Sequence, residues 1–284
     1  MRYRFIDEHK KAWPVTLMCG VLSVSRSGYY HWTTRALSHR RLENVVLDRQ
    51  IREMFAHHRQ RYGTPRITET LHDQGITCSQ NRVARRMGVM GLKAIQAKKF
   101  KVTTDSAHGK PVMPDRLEQD FHATAPNQKW TSDITYIWTD EGWLYLAVVM
   151  DLYSRAIVGW SMHSRMTQSL VCDALLMAVC RRGYPKATII HSDRGSQYCS
   201  RGYQQLIEVH GLSGSMGRKA TCYDNAVTES FFHTLKVERI SAHAYRSRYE
   251  ARADLFEYIE VWYNRRRRHS TLGYVSPAEF ESRL

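Results

Sequence analysis

No apolar run in this chain approaches the roughly 18 residues that cross a bilayer as a helix. The opening Met1-Arg2-Tyr3-Arg4-Phe5-Ile6-Asp7 also lacks a signal-peptide pattern. Membrane and secretory readings therefore give way to a cytoplasmic one. Cysteine is sparse: Cys19, Cys78, Cys172, Cys180, Cys199 and Cys222 form no Cys-x-x-Cys pair, and the 14 histidines do not fall into zinc spacing with them. A reduced protein without structural zinc fits that usage. Acidic residues are short too, 27 against 42 lysines and arginines, which sets the formal net charge at +15 and the pI near 9.7. A polyanionic partner is the first expectation. The excess is uneven, with 22 basic and 11 acidic residues in 1–124 against 20 and 16 in 125–284, so the front half carries most of the electrostatic footprint.

Helical periodicity dominates that front half. Val15 to Leu22, a tight Ser23-Val24 turn and a second helix capped by Ser25 suit a helix-turn-helix that offers Arg26 to DNA. A plain hairpin packing Leu17, Val21, Tyr29 and Trp32 together is the rival reading. A helix from Leu42 to His58 carries Val45, Val46, Ile51, Met54 and Phe55 as a stripe, Gly63 ends it, and Thr64-Pro65 starts another that runs to about Gly75. Ser79 then caps Gln80 to Met87, whose Asn81, Arg82, Arg85 and Arg86 have the character of groove and phosphate contacts or, more plainly, of a solvated face. Residues 93 to 128, with Lys93, Lys98, Lys99, Lys101 and Lys110 among Gly109, Pro111, Pro114 and Pro126, read as an extended linker.

Beyond it the period changes to two. Strands are expected at Ile134 to Trp138, Leu144 to Met150 and Ala156 to Met162, close enough in sequence for an antiparallel meander. A helix from Ser169 to Cys180 and a strand Ala187 to Ile190 follow, and that helical return permits parallel pairing with the first strand. Two acids sit on this frame: Asp133 in Trp130-Thr131-Ser132-Asp133-Ile134-Thr135-Tyr136-Ile137, and Asp193 after the short run ending His191-Ser192 and before Arg194-Gly195-Ser196. A third, Glu229, lies in a helix whose Val227, Phe231 and Leu235 recur every four residues, with Asp224 as a possible cap. That spacing leaves Glu229, Phe232, His233 and Lys236 on an adjoining face, Lys236 about 10 Å further along. Between Asp193 and Glu229 a helix, Arg201 to His210, precedes a flexible Gly211-to-Lys219 stretch, either a segment that closes over substrate or an ordinary connection.

Phosphodiester transfer needs an activated nucleophile and a stabilised leaving oxygen, and two divalent ions about 3.5–4 Å apart supply both. A few carboxylates converging from different elements hold such hard ions. Asp133, Asp193 and Glu229 have that character as a set. Asp151 is a rival ligand, although its Tyr-Ser-Arg sequel reads as a turn anchored by the Asp side chain.

Trp-x-x-Asp on a strand, His191 to Tyr198 (His-Ser-Asp-Arg-Gly-Ser-Gln-Tyr) and Asp224 to Lys236 (Asp-Asn-Ala-x-x-Glu-Ser-Phe-Phe-x-x-Leu-Lys) together resemble the DDE core of insertion-sequence transposases related to retroviral integrases. Asp193 and Glu229 are separated by 35 residues, the separation for which that family is named, and Lys236 matches its basic residue after the Glu. The resemblance extends over essentially the whole chain and is nearest to the second-reading-frame, orfB-type subunit. It implies an α/β, RNase H-like mixed five-stranded sheet with flanking helices, preceded by an all-α helix-turn-helix region. It further implies two Mg²⁺ ions, with Mn²⁺ as a substitute, bound by Asp133, Asp193 and Glu229, and hydrolytic nicking at element ends followed by strand transfer. Double-stranded DNA is the implied partner, with a homo-oligomer on DNA and a first-reading-frame partner or fusion as further expectations.

On this reading the chain divides into a helical DNA-binding region (1–96), a basic linker (97–124) and a catalytic core with a basic tail (125–284). His191, Asn225, Ser230 and His233 are candidates for supporting the acids or touching substrate. In the tail, a helix Arg248 to Tyr263 precedes Arg265, Arg266, Arg267 and Arg268, whose setting beside Trp262, Tyr263 and Tyr274 suits phosphate clamping with stacking. Some of these arginines have Glu257 or Glu260 as alternative partners. Two other functions stay open: a DNA-binding protein without catalysis, and a nuclease that never joins ends.

Overall fold

The computed structural model describes residues 1–36, 38–95, 112–217 and 226–284. Helices α1 (Arg2–His9), α2 (Val15–Val21) and α3 (Arg26–Thr34) form a small cluster around Ile6, Met18, Cys19 and Tyr29. Ser25 caps α3 as expected, its hydroxyl accepting from Gly28 N–H at 2.9 Å. The hairpin's apolar contacts differ from expectation. Leu17 and Val21 are exposed, 55% and 76%, because α1, which the sequence reading had not singled out, supplies Ile6 and Asp7 to the inner face, and Asp7 accepts from Tyr29 Oη at 3.1 Å.

Helices α4 (His39–His57), α5 (Thr64–Asp73) and α6 (Gln80–Val89) make a second helical group. The stripe that α4 buries is Leu47, Ile51, Met54 and Phe55, one face at helical spacing. Val45 and Val46 lie off it and are exposed, 59% and 57%. Proline in the first turn starts α5, and the Ser79 hydroxyl accepting from Arg82 N–H starts α6.

The sheet has five strands: β1 (Lys129–Thr139), β2 (Gly142–Asp151), β3 (Ile157–His163), β4 (Ile189–Ser192) and β5 (Ser213–Met216), in the order β3-β2-β1-β4-β5. The first three form the expected antiparallel meander, and β4 pairs parallel with β1. Helix α7 (Gln168–Arg181) makes the crossover to β4, and α8 (Arg201–Val209) the crossover to β5. One expectation fails at β5, which falls within the Gly/Ser stretch read as flexible. Its backbone pairs parallel with β4, and ladder hydrogen bonds offset what Gly214 lacks in strand propensity. The residues before β1 explain why this edge is protected. Arg116 and Leu117 N–H both donate to Ser215 Oγ, Leu117 is buried, and Met113 packs where a Gly214 side chain would stand. The stretch 112–128 is thus docked on the core, unlike the extended linker the sequence suggested; Lys98, Lys99, Lys101, Lys110, Gly109 and Pro111 lie outside the described residues.

Strand alternation divides the core in two. Ala147, Val149 and Val158 face α7 and α8, and here Gly159 is required: a Cβ on it would meet the Ala174 carbonyl oxygen at 2.2 Å. Leu144, Leu146, Val148 and Met150 face the opposite layer, built from α9 (Ala226–Glu238) and α10 (Arg248–Phe256), which continues as a wider π-helical segment Glu257–Tyr263. Each fully buried Leu or Val contributes roughly 1.5–3 kcal/mol. Helices α4 to α6 belong to this second cluster, so the helical region is continuous with the core instead of being packed apart from it. A short α11 (Pro277–Glu281) closes the chain. Among the described residues no helix is long and apolar enough to cross a membrane.

Candidate active site

The register of β1 and β4 brings the first two acids side by side. Ser132 pairs with Ser192 at the end of the parallel ladder, so Asp133, next along β1, and Asp193, the residue that follows β4, leave from strands about 4.8 Å apart. Both carboxylates are oriented locally: Asp133 Oδ1 accepts from Ile134 N–H at 2.7 Å, and Asp193 Oδ1 from Gly195 N–H at 2.8 Å. Beneath them lies Tyr198, a fully buried residue whose hydroxyl shares a 3.0 Å hydrogen bond with Ser132 Oγ. Burial, then the charges of Asp133 and Asp193 among others, hold its phenol well above its ordinary range.

The third acid arrives on α9. Thr228 Oγ1 and Thr131 Oγ1 share a buried 2.7 Å hydrogen bond that pins the first turn of α9 to β1, two residues before Asp133. Glu229 is the next residue on the helix and is exposed. Of its expected neighbours, His233 is exposed while Phe232 is buried in the core, which corrects the sequence reading of that face. Lys236 Nζ sits 5.2 Å from the Tyr136 ring centroid. Burial lowers its pKa, and Asp133 pulls it back up.

Electrostatics tie the group together. Burial pushes the Asp133 carboxyl well above the usual carboxylate range, and Asp193 and then Glu229 push the same way; the Ile134 N–H and Lys236 oppose them. Glu229, though exposed at its surface, is crowded enough by its surroundings that partial desolvation raises it as well. Carboxylates crowded in one field are stabilised either by a proton or by a cation, and oxygen ligands fit a hard divalent ion. Among the described residues no three His, Cys, Asp or Glu side chains are drawn together tightly enough to hold a metal ion. The donor set fits such an ion by chemistry, with Asp133 and Asp193 following paired residues of neighbouring strands and Glu229 supplied by α9. Asp151 is excluded from the group: it is fully buried and accepts from Asn127 and Tyr153 N–H, the turn anchor its sequence suggested.

The remaining candidates scatter. His191 is buried, its Nδ1 2.8 Å from Ser215 Oγ, and so braces β4 against β5. Asn225 and Asp224 lie outside the described residues, as do Arg218 and Lys219. On α6, Asn81 and Arg85 are exposed, but Arg82 bonds to Glu43 and Asn44, and Arg86 makes a two-pronged pair with Asp48. The polar face of α6 is therefore partly spent on α4. Arg26 is exposed on α3. Of the run of four arginines in the tail, only Arg265 and Arg266 are exposed. Arg267 is buried against Glu238, and Arg268 bonds to Asp73 and the Tyr274 carbonyl, so a clamp of four arginines is not what forms. Sequence reasoning missed Glu238, Thr131, Thr228 and Tyr198. Thr131 was findable, since it shares the Asp133 face of β1 at i−2; Glu238 was not, because its partners come from distant segments.

Comparison with known proteins bears on the whole chain. Residues 41–100 match the HTH-like domain, residues 123–222 the integrase core domain, and residues 229–284 a second integrase core domain family. Transposase InsF for insertion sequence IS3A of Escherichia coli (strain K12) is 50% identical over 285 residues, spanning 100% of this chain and 99% of that protein. An uncharacterized 31 kDa protein of insertion element IS600 from Shigella sonnei is 46% identical over 266 residues, 94% of this chain and 98% of its own. Among solved structures, the simian T-cell lymphotropic virus intasome in complex with PP2A regulatory subunit B56 gamma aligns at a TM-score of 0.47 and 17% identity, over 80% of this chain and 72% of that one.

Proposed function

The chain belongs to the transposases of IS3-type insertion sequences, enzymes with an integrase core domain, and from that premise we propose that it cuts DNA at the ends of its element and joins the freed strand to a target. Asp133, Asp193 and Glu229 are the acids we assign to the chemistry. The observation that carries the reading is the β1–β4 register, with an aspartate next after the last paired residue of each chain segment, together with the Thr131–Thr228 bond that fixes the start of the glutamate's helix nearby.

These three carboxylates would hold two Mg²⁺ ions, or Mn²⁺ in their place, which supply activation of the attacking oxygen and stabilisation of the leaving one. The chain's own groups do the rest. The Ile134 and Gly195 N–H groups hold the Asp133 and Asp193 carboxylates in orientation. Lys236, its ammonium steadied over Tyr136, grips a DNA phosphate near the reacting one. Exposed Asn81 and Arg85 on α6, Arg26 on α3, and Arg265 and Arg266 in the tail are the side chains we assign to DNA contact. The active species is a homo-oligomer on DNA, with a first-reading-frame partner or fusion supplying end recognition.

Labelled element-end duplex incubated with protein and Mg²⁺ tests the assignment. Joined products are expected; nicks without joining would make the protein a plain nuclease, and a mobility shift without cleavage a non-catalytic binder. Asp193→Asn should keep DNA binding and lose cleavage by at least 100-fold, on the order of a lost metal ligand or more. Unchanged cleavage would remove Asp193 from the mechanism.

A further inference from the structure

On the far side of α9 from Glu229 lies a polar cavity of about 200 Å³ that the catalytic assignment does not use. Its walls include Arg66, Arg155, Arg267, Ser230, Thr234 and Thr271. Three guanidinium groups around one small space are a large local charge. The acid beside them is Glu238, which pairs with Arg267 at 2.9 Å and lies 3.8 Å from Arg66. The Arg155 guanidinium has no hydrogen-bonding or acidic partner among the described residues, though the residue is only partly exposed, and burial lowers its pKa. The ring of His269, also in the wall, is held neutral by burial and by the same three arginines, with its pKa lowered to about 2. Against three positive groups there is one negative one, and a partly buried cation without an acidic partner is better stabilised once an anion joins it. Serine and threonine hydroxyls on the same wall supply neutral donors, and no carboxylate lines it.

We propose that this cavity is a phosphate-binding pocket that takes a backbone phosphate of DNA, separate from the three acids and from Lys236. Arg155 is its free cation, Thr234 and Ser230 offer hydroxyls from α9, and Thr271 closes the opposite wall. Because Ser230 follows Glu229 directly, a phosphate seated here fixes the strand against the helix that bears the catalytic glutamate. The DNA source of the phosphate rests on the transposase reading; the pocket itself does not.

The test uses the full chain, without divalent metal, and Arg155→Gln, with Arg155→Lys as the charge-keeping control and Thr234→Val as a second probe. Melting temperature is measured in inorganic phosphate and in chloride at matched ionic strength, and duplex binding is measured across a salt series. Wild type should melt higher in phosphate, and the gain should vanish in Arg155→Gln. Loss of one phosphate contact should lower the slope of log affinity against log salt by about 0.9, with Arg155→Lys restoring it. Thr234→Val should weaken both effects if Arg155→Gln fails to fold. Stabilisation by phosphate with an unchanged salt slope would overturn the DNA assignment and leave a site for free phosphate. No phosphate effect and no slope change would overturn the pocket. Failure of the catalytic reading shows separately, as cleavage that survives Asp193→Asn.

Discussion

Removing one carboxylate in the second core should cost this protein a large part of its stability. Glu238 accepts from Arg267 Nε and Nη2 (3.1 and 2.9 Å), from Tyr258 Oη (3.0 Å) and from Trp262 Nε1 (3.3 Å), and both Glu238 and Arg267 side chains are only 7% exposed. Glu238→Ala leaves a guanidinium, a phenol and an indole N–H buried with their shared acceptor gone. Breaking a buried ion pair from one side costs about 3–5 kcal/mol, against a total near 5–15 kcal/mol for a domain. Urea denaturation followed by far-UV circular dichroism at pH 7.5 should show the midpoint fall by that amount divided by the slope, with the slope itself unchanged. The double variant Glu238→Met, Arg267→Met removes both charges and should recover most of the loss, since apolar replacement of a whole buried pair is often neutral. A loss below about 1 kcal/mol in Glu238→Ala, or a double variant as weak as the single ones, would show that the pair is not what holds these segments.

Other expectations follow from the same geometry. His58 is buried and stacked on Tyr62 with its Nδ1 unpartnered, and burial lowers its pKa to about 4. The unfolded chain therefore binds the proton first, so stability is intact above about pH 6.5 and is lost as pH falls toward 4. The loss is about 2 kcal/mol by pH 5, and His58→Phe should remove that share of the pH dependence. Gly159→Ala pushes a methyl into the Ala174 carbonyl and Ala178 N–H; a loss of about 1–3 kcal/mol or more is expected in thermal melts, and a wild-type melting curve would contradict the close approach. Lys236→Gln should weaken element-end binding with a smaller salt slope while leaving the fold unchanged by circular dichroism. An unchanged slope would take Lys236 off the DNA.

Much of the sheet was legible because alternation and β-branched residues survive in β1 to β3, and because a helix between strands implies a parallel return. The acids were legible for a related reason: polar residues at strand ends interrupt an apolar pattern. What failed were features decided by distant partners. Gly214 and Ser215 read as a loop because nothing local shows that Pro114 and Leu117 come back to cover them. Arg267 and Arg268 read as phosphate contacts because four adjacent arginines look solvated, while Glu238 and Asp73 are 29 and 195 residues away along the chain. Val45 and Val46 were placed inside because hydrophobicity was counted without the helix phase that Leu47, Ile51, Met54 and Phe55 set.

The shared packing of α4 to α6 with the layer that holds α9 makes the molecule a ruler. Val83 and Met87 of α6 belong to the same apolar cluster as Phe231 and Leu235 of α9, so on the proposed assignment of Asn81 and Arg85 to DNA contact the duplex would be presented to the acids at a set reach. B-DNA completes a turn in about 10–10.5 base pairs, so one base pair inserted between the gripped sequence and the cut rotates the scissile bond by about 35 degrees. On the proposed assignment, packing that ties α6 to the layer of α9 makes the spacing between gripped sequence and cut a testable property of the element's ends.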